Sequence, residues 1–326
     1  MKVLLTGGAG YIGSHVNKLL HSRGIETVVL DNLQYGHAGA VRWGRLVEAD
    51  LLDYEALDSV FAGAGFEAVL HFAAYIFVGE SVSDPEKYYR NNLSGGLNLL
   101  RAMRAHSVDK LIFSSTAAVY GVPSRVPIPE EHPVAPINPY GWSKLALERM
   151  IADYSRAYGW RSIIFRYFNA AGADPEGEIG ENHDPENHLV PLLLKATLDP
   201  GRSLTVYGTD YDTPDGTCIR DYIHVMDLAD AHWLGLERVT GGQAGNKPCE
   251  VYNIGNGSGF SVRQVIDSAV RVTGRTPQIV YGPRRPGDAP ALVAESRLLK
   301  EELGWRPRYQ ELDTIIADAW RWEKTL

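Results

Sequence analysis

Residues 2–24 read KVLLTGGAGYIGSHVNKLLHSRG. An apolar run, a glycine cluster and an amphipathic stretch follow one another, which predicts strand, tight turn and helix. Gly7, Gly10 and Gly13 stand three apart, and Gly8 to Gly13 also satisfies G-x-G-x-x-G. Such a turn lets backbone approach a pyrophosphate. Its charge then meets the helix N-terminus at Tyr11 and Ile12. Asp31 closes the next apolar run, ETVVLDN, 18 residues after Gly13. A carboxylate there accepts hydrogen bonds from an adenosine ribose and repels a 2′-phosphate, so NAD is expected rather than NADP.

Outward from this turn the pattern repeats. RLVEADLLD, EAVLHFAA, KLIFSSTAAVYG and SIIFRYFN read as further buried strands, and YEALDSVFAGAG as a short helix. Asp84 followed by Pro85 opens a long helix through His106, and Tyr140 to Gly159 forms another. Short apolar strands alternating with helices predict an α/β fold, a doubly wound parallel sheet of Rossmann type. Asp50 and Leu51 are expected near the adenine, and Phe72, Ala73 and Ala74 under the cofactor phosphates. These positions lie at carboxyl ends of predicted strands, where ligands bind. Beyond Ala170 the texture changes. GADPEGEIGENHDPENH reads as a long functional loop. A helix near 225–239, the strand EVYNIGN, the helix SVRQVIDSAVRVTG and two C-terminal helices follow. The division expected is a nucleotide-binding domain over 1–170 and a smaller α/β substrate domain over 171–326. The boundary is approximate, with some chain crossing back, and the ligand cleft lies between the two parts.

The 326 residues carry 32 Lys+Arg against 40 Asp+Glu, a formal charge of −8, which argues against nucleic acid or an anionic membrane as partner. Cys218 and Cys249 form no CxxC and no metal-ligand spacing, so neither a disulfide framework nor a metal is expected. No stretch approaches the ~20 apolar residues of a spanning helix. MKVLLTGG is too short and too weakly basic for a signal peptide. A cytoplasmic protein is expected.

NPYGWSK, residues 138–144, sets Tyr140 four positions before Lys144, on one helical face. A tyrosine of pKa ~10 is a poor base at neutral pH. An ammonium ~6 Å away at an effective dielectric of ~20 contributes ~3 kcal/mol, about two pK units, which moves the phenol toward general-base duty. Ser114, Ser115 and Thr116 end the fifth predicted strand at the same sheet edge, where Thr116 can bond a substrate hydroxyl.

Together these residues resemble the extended short-chain dehydrogenase/reductase family, nearly end to end. TGGAGYIGSH and NPYGWSK mark the superfamily; DGTCIRDYIHVMDLADAH and RRPGD are similar to its nucleotide-sugar epimerase branch. The resemblance implies an NAD-dependent 4-epimerase of UDP-sugars that works through a 4-keto intermediate. It implies Tyr140 as catalytic acid and base, Lys144 holding the nicotinamide ribose, and Thr116 on the sugar 4-hydroxyl. Asn32, Asn91, Ser114, Tyr167 and Phe168 match cofactor-side positions. Asn169, His188, Leu189, Thr205, Tyr207, Arg220, Arg285, Asp288 and Leu292 match substrate-side positions, with the arginines on the diphosphate and Tyr207 on the uracil. Relatives are often homodimers through two long helices, here 84–106 and 140–158.

Three positions depart from the family pattern. Ile76 stands where some members carry a lysine near the substrate phosphate, His188 where many carry asparagine, and Leu292 where residue size governs room for an N-acetyl group. Ala117-Ala118 replace the Asp-Glu of related dehydratases, so elimination lacks its acid and base. UDP-N-acetylhexosamine or UDP-pentose substrates, and a non-catalytic NAD-binding regulator, are the alternatives.

Overall fold

The computed structural model describes residues 1–241, 247–285 and 288–326. The chain begins with β1 (Lys2–Thr6), α1 (Tyr11–Ser22), β2 (Glu26–Asp31), β3 (Arg45–Glu48), α2 (Tyr54–Phe61) and β4 (Ala68–His71). Two short helices, α3 (Val78–Ser83) and α4 (Pro85–Tyr88), precede a π-helical stretch over Tyr89–Ser94 and α5 (Gly95–Ala105). The long helix expected from Asp84 is thus interrupted by a widened turn. Its start agrees with the reading, since Asp84 accepts a hydrogen bond from Lys87 N and Pro85 holds the first turn. Then come β5 (Lys110–Thr116), α6 (Pro139–Tyr158) and β6 (Arg161–Tyr167). β5 is shorter than the apolar run suggested. Thr116 Oγ1 accepts from Ala118 N at 3.1 Å, which turns Ala117–Tyr120 into a 3-10 helix.

The second half contributes β7 (Asn169–Ala171), α7 (Leu189–Leu198), β8 (Ser203–Tyr207), β9 (Ile219–His224), α8 (Val225–Thr240) and β10 (Cys249–Ile254). It closes with β11 (Gly259–Ser261), α9 (Val262–Thr273), β12 (Gln278–Gly282), β13 (Ala291–Leu292), α10 (Arg297–Glu302) and α11 (Leu312–Glu323). The central sheet has seven strands in the order β10-β6-β5-β4-β1-β2-β3, all pairings parallel. Strand order reverses at β1, between β4 and β2. The glycine turn therefore leaves the sheet at its switch point, where such sheets bind ligands. The outer strand β10 comes from the far side of the 170/171 boundary. It pairs with β6 from Cys249↔Ser162 to Ile254↔Tyr167, so the nucleotide-binding layer is discontinuous in sequence.

Alternation along β1 explains the layers. Val3 and Leu5 join the cluster under α1 and α8, with Val16, Leu20, Leu228 and Leu236. Leu4 joins the opposite cluster under α2, α5 and α6, with Leu57, Leu99, Leu147 and Ile151. Each such fully buried side chain contributes roughly 1.5–3 kcal/mol relative to exposure. A third cluster, with Leu193, Val206, Val265 and Ile315, holds α7, α9 and α11 around the smaller part. There β9 is central: it pairs with β7, β11 and β13, while β8 and β12 form a separate parallel ribbon. No helix among the described residues is long and apolar enough to cross a membrane.

Candidate active site

Gly7 has φ of +74°, and a Cβ there would lie 2.6 Å from Ala73 Cα. At Gly13 a Cβ would lie 2.7 Å from Gly8 Cα, so helix and turn meet only through hydrogen. Gly10 differs: its nearest neighbour would be Gly7 O at 3.4 Å, which leaves its outer side open to a ligand. Gly10 is also the N-cap of α1, with no side chain capping it and no acid in the first turn. The N–H groups around Tyr11 and Ile12 and the dipole are thus offered to an anion. Phe72 and Ala73 line the other wall, their N–H groups on Thr6 O at 2.8 and 3.0 Å. Ala74 follows them.

Asp31 is buried, and its two oxygens accept from Ala9 N and Leu33 N at 3.0 and 2.9 Å. Burial raises its carboxyl despite these bonds. Asn32 donates to Asp50 at 3.0 Å, which fixes the next strand end beside it, and Leu51 is buried against α5. These residues fit a dinucleotide with an unphosphorylated ribose. Asn91 is only a donor to Asn92, at 2.9 Å. The buried anchor is Asn92, which bonds Tyr75 N, Tyr75 O and Ser143 Oγ and ties the π-turn to α6. Asn92 was missed because NN in sequence does not say which neighbour faces inward.

Asn138 caps α6 by accepting from Gly141 N at 2.8 Å, Pro139 fills the first turn, and Gly159 at φ +72° ends the helix. This puts Tyr140 and Lys144 on the buried face. The Thr116 side chain lies near the Tyr140 phenol, and Lys144 Nζ donates to Ser114 O at 2.8 Å over the Phe113 ring. Burial raises Tyr140 above its ordinary value, and only the Thr116 side chain opposes it. The ammonium is aimed at a backbone carbonyl. Burial lowers Lys144 from 10.5 to about 7, with Glu148 working the other way.

A base depressed in the folded state binds its proton better when unfolded. Its charged form opposes folding most below pH ~7 and ceases to above ~10.5. Stability of the cofactor-free protein should therefore rise between pH 7 and 9.5 by up to about 1.4 kcal/mol per unit from this group. Urea midpoints of wild type and Lys144→Met across that range read it; parallel curves would contradict it.

Glu148 extends the same helical face by four more residues. It pairs with Arg166 at 2.6 Å, takes a bond from Ser115, and Arg166 also donates to Tyr120 at 3.0 Å. All four are buried. Glu148→Ala would strand the guanidinium and should cost about 3–5 kcal/mol in urea unfolding; a loss under 1 kcal/mol would refute this role. Sequence spacing could have found Glu148, but not its partner on β6.

On the substrate side, Arg220 NH2 and Arg285 Nε both reach Asp288, at 3.5 and 2.9 Å. Arg285 lies over the Tyr207 ring at 5.2 Å, and Leu292 pairs with Arg220 across β13 and β9. Tyr207, Arg220, Arg285, Asp288 and Leu292 are thus brought together; Pro286 and Gly287 of RRPGD lie outside the described residues. Asn169 reaches this layer through its pairing with Tyr222, and Thr205 sits two residues before Tyr207 on β8. Phe168 is buried beside Ala117 and Leu292, and the Tyr167 hydroxyl bonds His232 in the core. Ile76 packs in the aromatic cluster of Tyr88 and Tyr140. Leu189 opens α7 and packs on the third cluster.

His188 belongs to a charged group in the loop before α7. Its Nδ1 faces Glu181 and Glu186 at 2.8 and 3.0 Å. His183 Nδ1 completes the group, 3.2 Å from Glu181 and 3.6 Å from Glu186. Burial pushes both imidazoles down and the carboxylates outweigh it, so His183 stands at about 9 and His188 at about 10. E-x-H-x-x-E-x-H at 181–188 was the overlooked signal.

Residues 3–255 match the model of the NAD dependent epimerase/dehydratase family. The chain belongs to this family. Within the epimerase/dehydratase relatives, it is 48% identical to a UDP-glucose 4-epimerase of Halalkalibacterium halodurans, over 99% of this chain and 96% of that one. A crystal structure of UDP-glucose 4-epimerase from Brucella ovis in complex with NAD is 51% identical, with a TM-score of 0.93 over 98% of this chain and 97% of that one. One from Bifidobacterium longum in complex with NAD+ and UDP is 37% identical, with a TM-score of 0.94 over 100% and 98%.

Proposed function

We propose that this protein interconverts UDP-glucose and UDP-galactose by inverting C4 through a transient 4-keto sugar, with NAD as bound cofactor. The observation that carries the reading is the buried Tyr140–Thr116 pair beside Lys144, at the sheet edge that also carries the glycine cradle. The relatives named UDP-glucose 4-epimerase support it across the full length. Gly7, Gly10, Tyr11, Ile12, Gly13, Asp31, Asp50 and Lys144 would hold NAD. When bound, it supplies the two-electron acceptor that takes hydrogen from C4 and returns it.

Tyr140 removes the proton of the 4-hydroxyl, directly or through Thr116, which passes on its own proton while accepting the sugar's. Burial disfavours the phenolate, so it forms only when a bond from Thr116 and a nearby positive charge oppose that cost. Arg220, Arg285 and Tyr207 anchor UDP, and this remote binding keeps the ketone while the sugar turns. Ala117 and Ala118 offer no acid or base, so the ketone is reduced back rather than dehydrated. Purified protein incubated with UDP-galactose should form UDP-glucose; no interconversion would refute the assignment. The same assay on UDP-N-acetylglucosamine and UDP-xylose tests whether Leu292 admits other sugars.

We further propose a homodimer through residues 84–106 and 140–158, whose exposed Tyr89, Leu97 and Trp142 offer apolar surface. Light scattering should give about twice the 36.0 kDa chain mass, and a monomer mass would refute it. A cytoplasmic location fits the two free cysteines and is tested by cell fractionation.

A further inference from the structure

Loop 172–188 contains two groups of charged side chains, and they differ in one respect. Asp174, Glu176 and Glu178 surround Lys18 Nζ at 2.8, 2.5 and 2.7 Å, so an ammonium already fills their centre. Glu181, His183, Glu186 and His188 have no Lys or Arg within ion-pair distance among the described residues. Four donor atoms, one from each side chain, lie within 4.8 Å of one another. The Glu186 side chain is 5% exposed, and its Oε2 is buried without a hydrogen-bond partner. His183 Nδ1 is likewise buried without a well-aligned hydrogen bond, 3.2 Å from Glu181 and 3.6 Å from that oxygen. A buried carboxylate oxygen and a buried ring nitrogen that face each other without a well-aligned hydrogen bond are costly unless something bridges them.

We infer that Glu181, His183, Glu186 and His188 form a four-ligand site for a divalent transition ion of the zinc class. A tetrahedron with metal–ligand bonds of ~2.0 Å has edges of ~3.3 Å. The His183 Nδ1 separations of 3.2 and 3.6 Å from the two carboxylates fall on either side of that edge. On binding, the two imidazoles would release their protons to the ion's advantage, leaving two carboxylates to offset the dication, and imidazole selects against calcium and magnesium. Four protein ligands leave no open position, which marks a structural rather than a catalytic centre.

The frame is held independently of any ion. Trp322 Nε1 donates to Glu181 O at 2.9 Å, and a Cβ at Gly180 would overlap the Trp322 ring. His37 Nε2 and Asn182 O lie 2.8 Å apart. Tyr11 stacks edge-on against His183 at 6.4 Å and donates to Gly172 O at 2.7 Å. An ion here would therefore clamp the first turn of α1 to the loop that leads into α7.

The test uses tag-free full-length protein, stripped with a chelator, dialysed and titrated with Zn2+ by calorimetry. One equivalent per chain is expected, with a rise in Tm of about 4 °C at hundredfold excess over Kd. His183→Ala and Glu186→Gln should each bind below a tenth of an equivalent and lose the Tm response. Because His183→Ala can fail to fold, Co2+ binding to wild type and to the near-isosteric Glu186→Gln is read as visible d–d absorption. Strong tetrahedral bands in wild type and none in Glu186→Gln support the site. No Zn2+ uptake by wild type, or equal uptake by both variants, would overturn it and leave the four residues as two ion pairs.

Discussion

Tyr140→Phe should lower the rate of UDP-sugar interconversion by about a thousandfold, within the range that general acid–base catalysis contributes. The substitution removes one oxygen from a buried ring that packs with Phe77 and Tyr88, so packing barely changes. The oxygen is the only group whose loss leaves Thr116 with no phenol to relay to. Cofactor content and UDP affinity should stay near wild type, because the glycine cradle and the Arg220–Arg285 patch are untouched. A drop in kcat with those two quantities preserved would place the loss in proton transfer. Wild-type turnover would remove Tyr140 from the mechanism.

Gly13→Ala should abolish stable NAD binding, lowering affinity at least about a hundredfold. The added methyl would overlap Gly7 O and approach Gly8 Cα, both backbone atoms that cannot rotate away. Separating α1 from the turn would spoil the N–H array at the cradle while leaving the rest of the sheet paired. NAD released on denaturation, measured per chain, reads the effect, with circular dichroism as the check on folding. Wild-type NAD content would show that the turn tolerates a Cβ and would undo the cradle argument. Gly10→Ala is the informative companion, since its Cβ would meet only Gly7 O at 3.4 Å within the protein. Loss of NAD there would have to come from the ligand side.

Much of this was legible because the signals are local. The glycine turn, the apolar strand runs and the Asp84-Pro85 helix start each follow from a few adjacent residues. What was not legible depends on partners far apart in the chain. Glu148 and Arg166 sit on different elements, and the choice between Asn91 and Asn92 is made by a π-turn that no short pattern announces. Spacing gives proximity but not direction, and in this structure Lys144 Nζ points to Ser114 O. The contacts of His188 Nδ1 with Glu181 and Glu186 likewise depend on how the loop folds back on itself. The paired strand ends show why Thr116 and the glycine turn share one sheet edge: β1, β4 and β5 stop there together.

The position of β10 carries a further consequence for how the protein is made. A ribosome synthesises β1 to β6 first, yet the strand that covers β6 appears some eighty residues after it. During that interval β6 is an open edge of unpaired N–H and C=O groups, and such edges recruit foreign strands. The nucleotide half and the substrate half are therefore one cooperative unit in biosynthesis. A nascent chain released near residue 170 exposes a sticky margin rather than a finished domain.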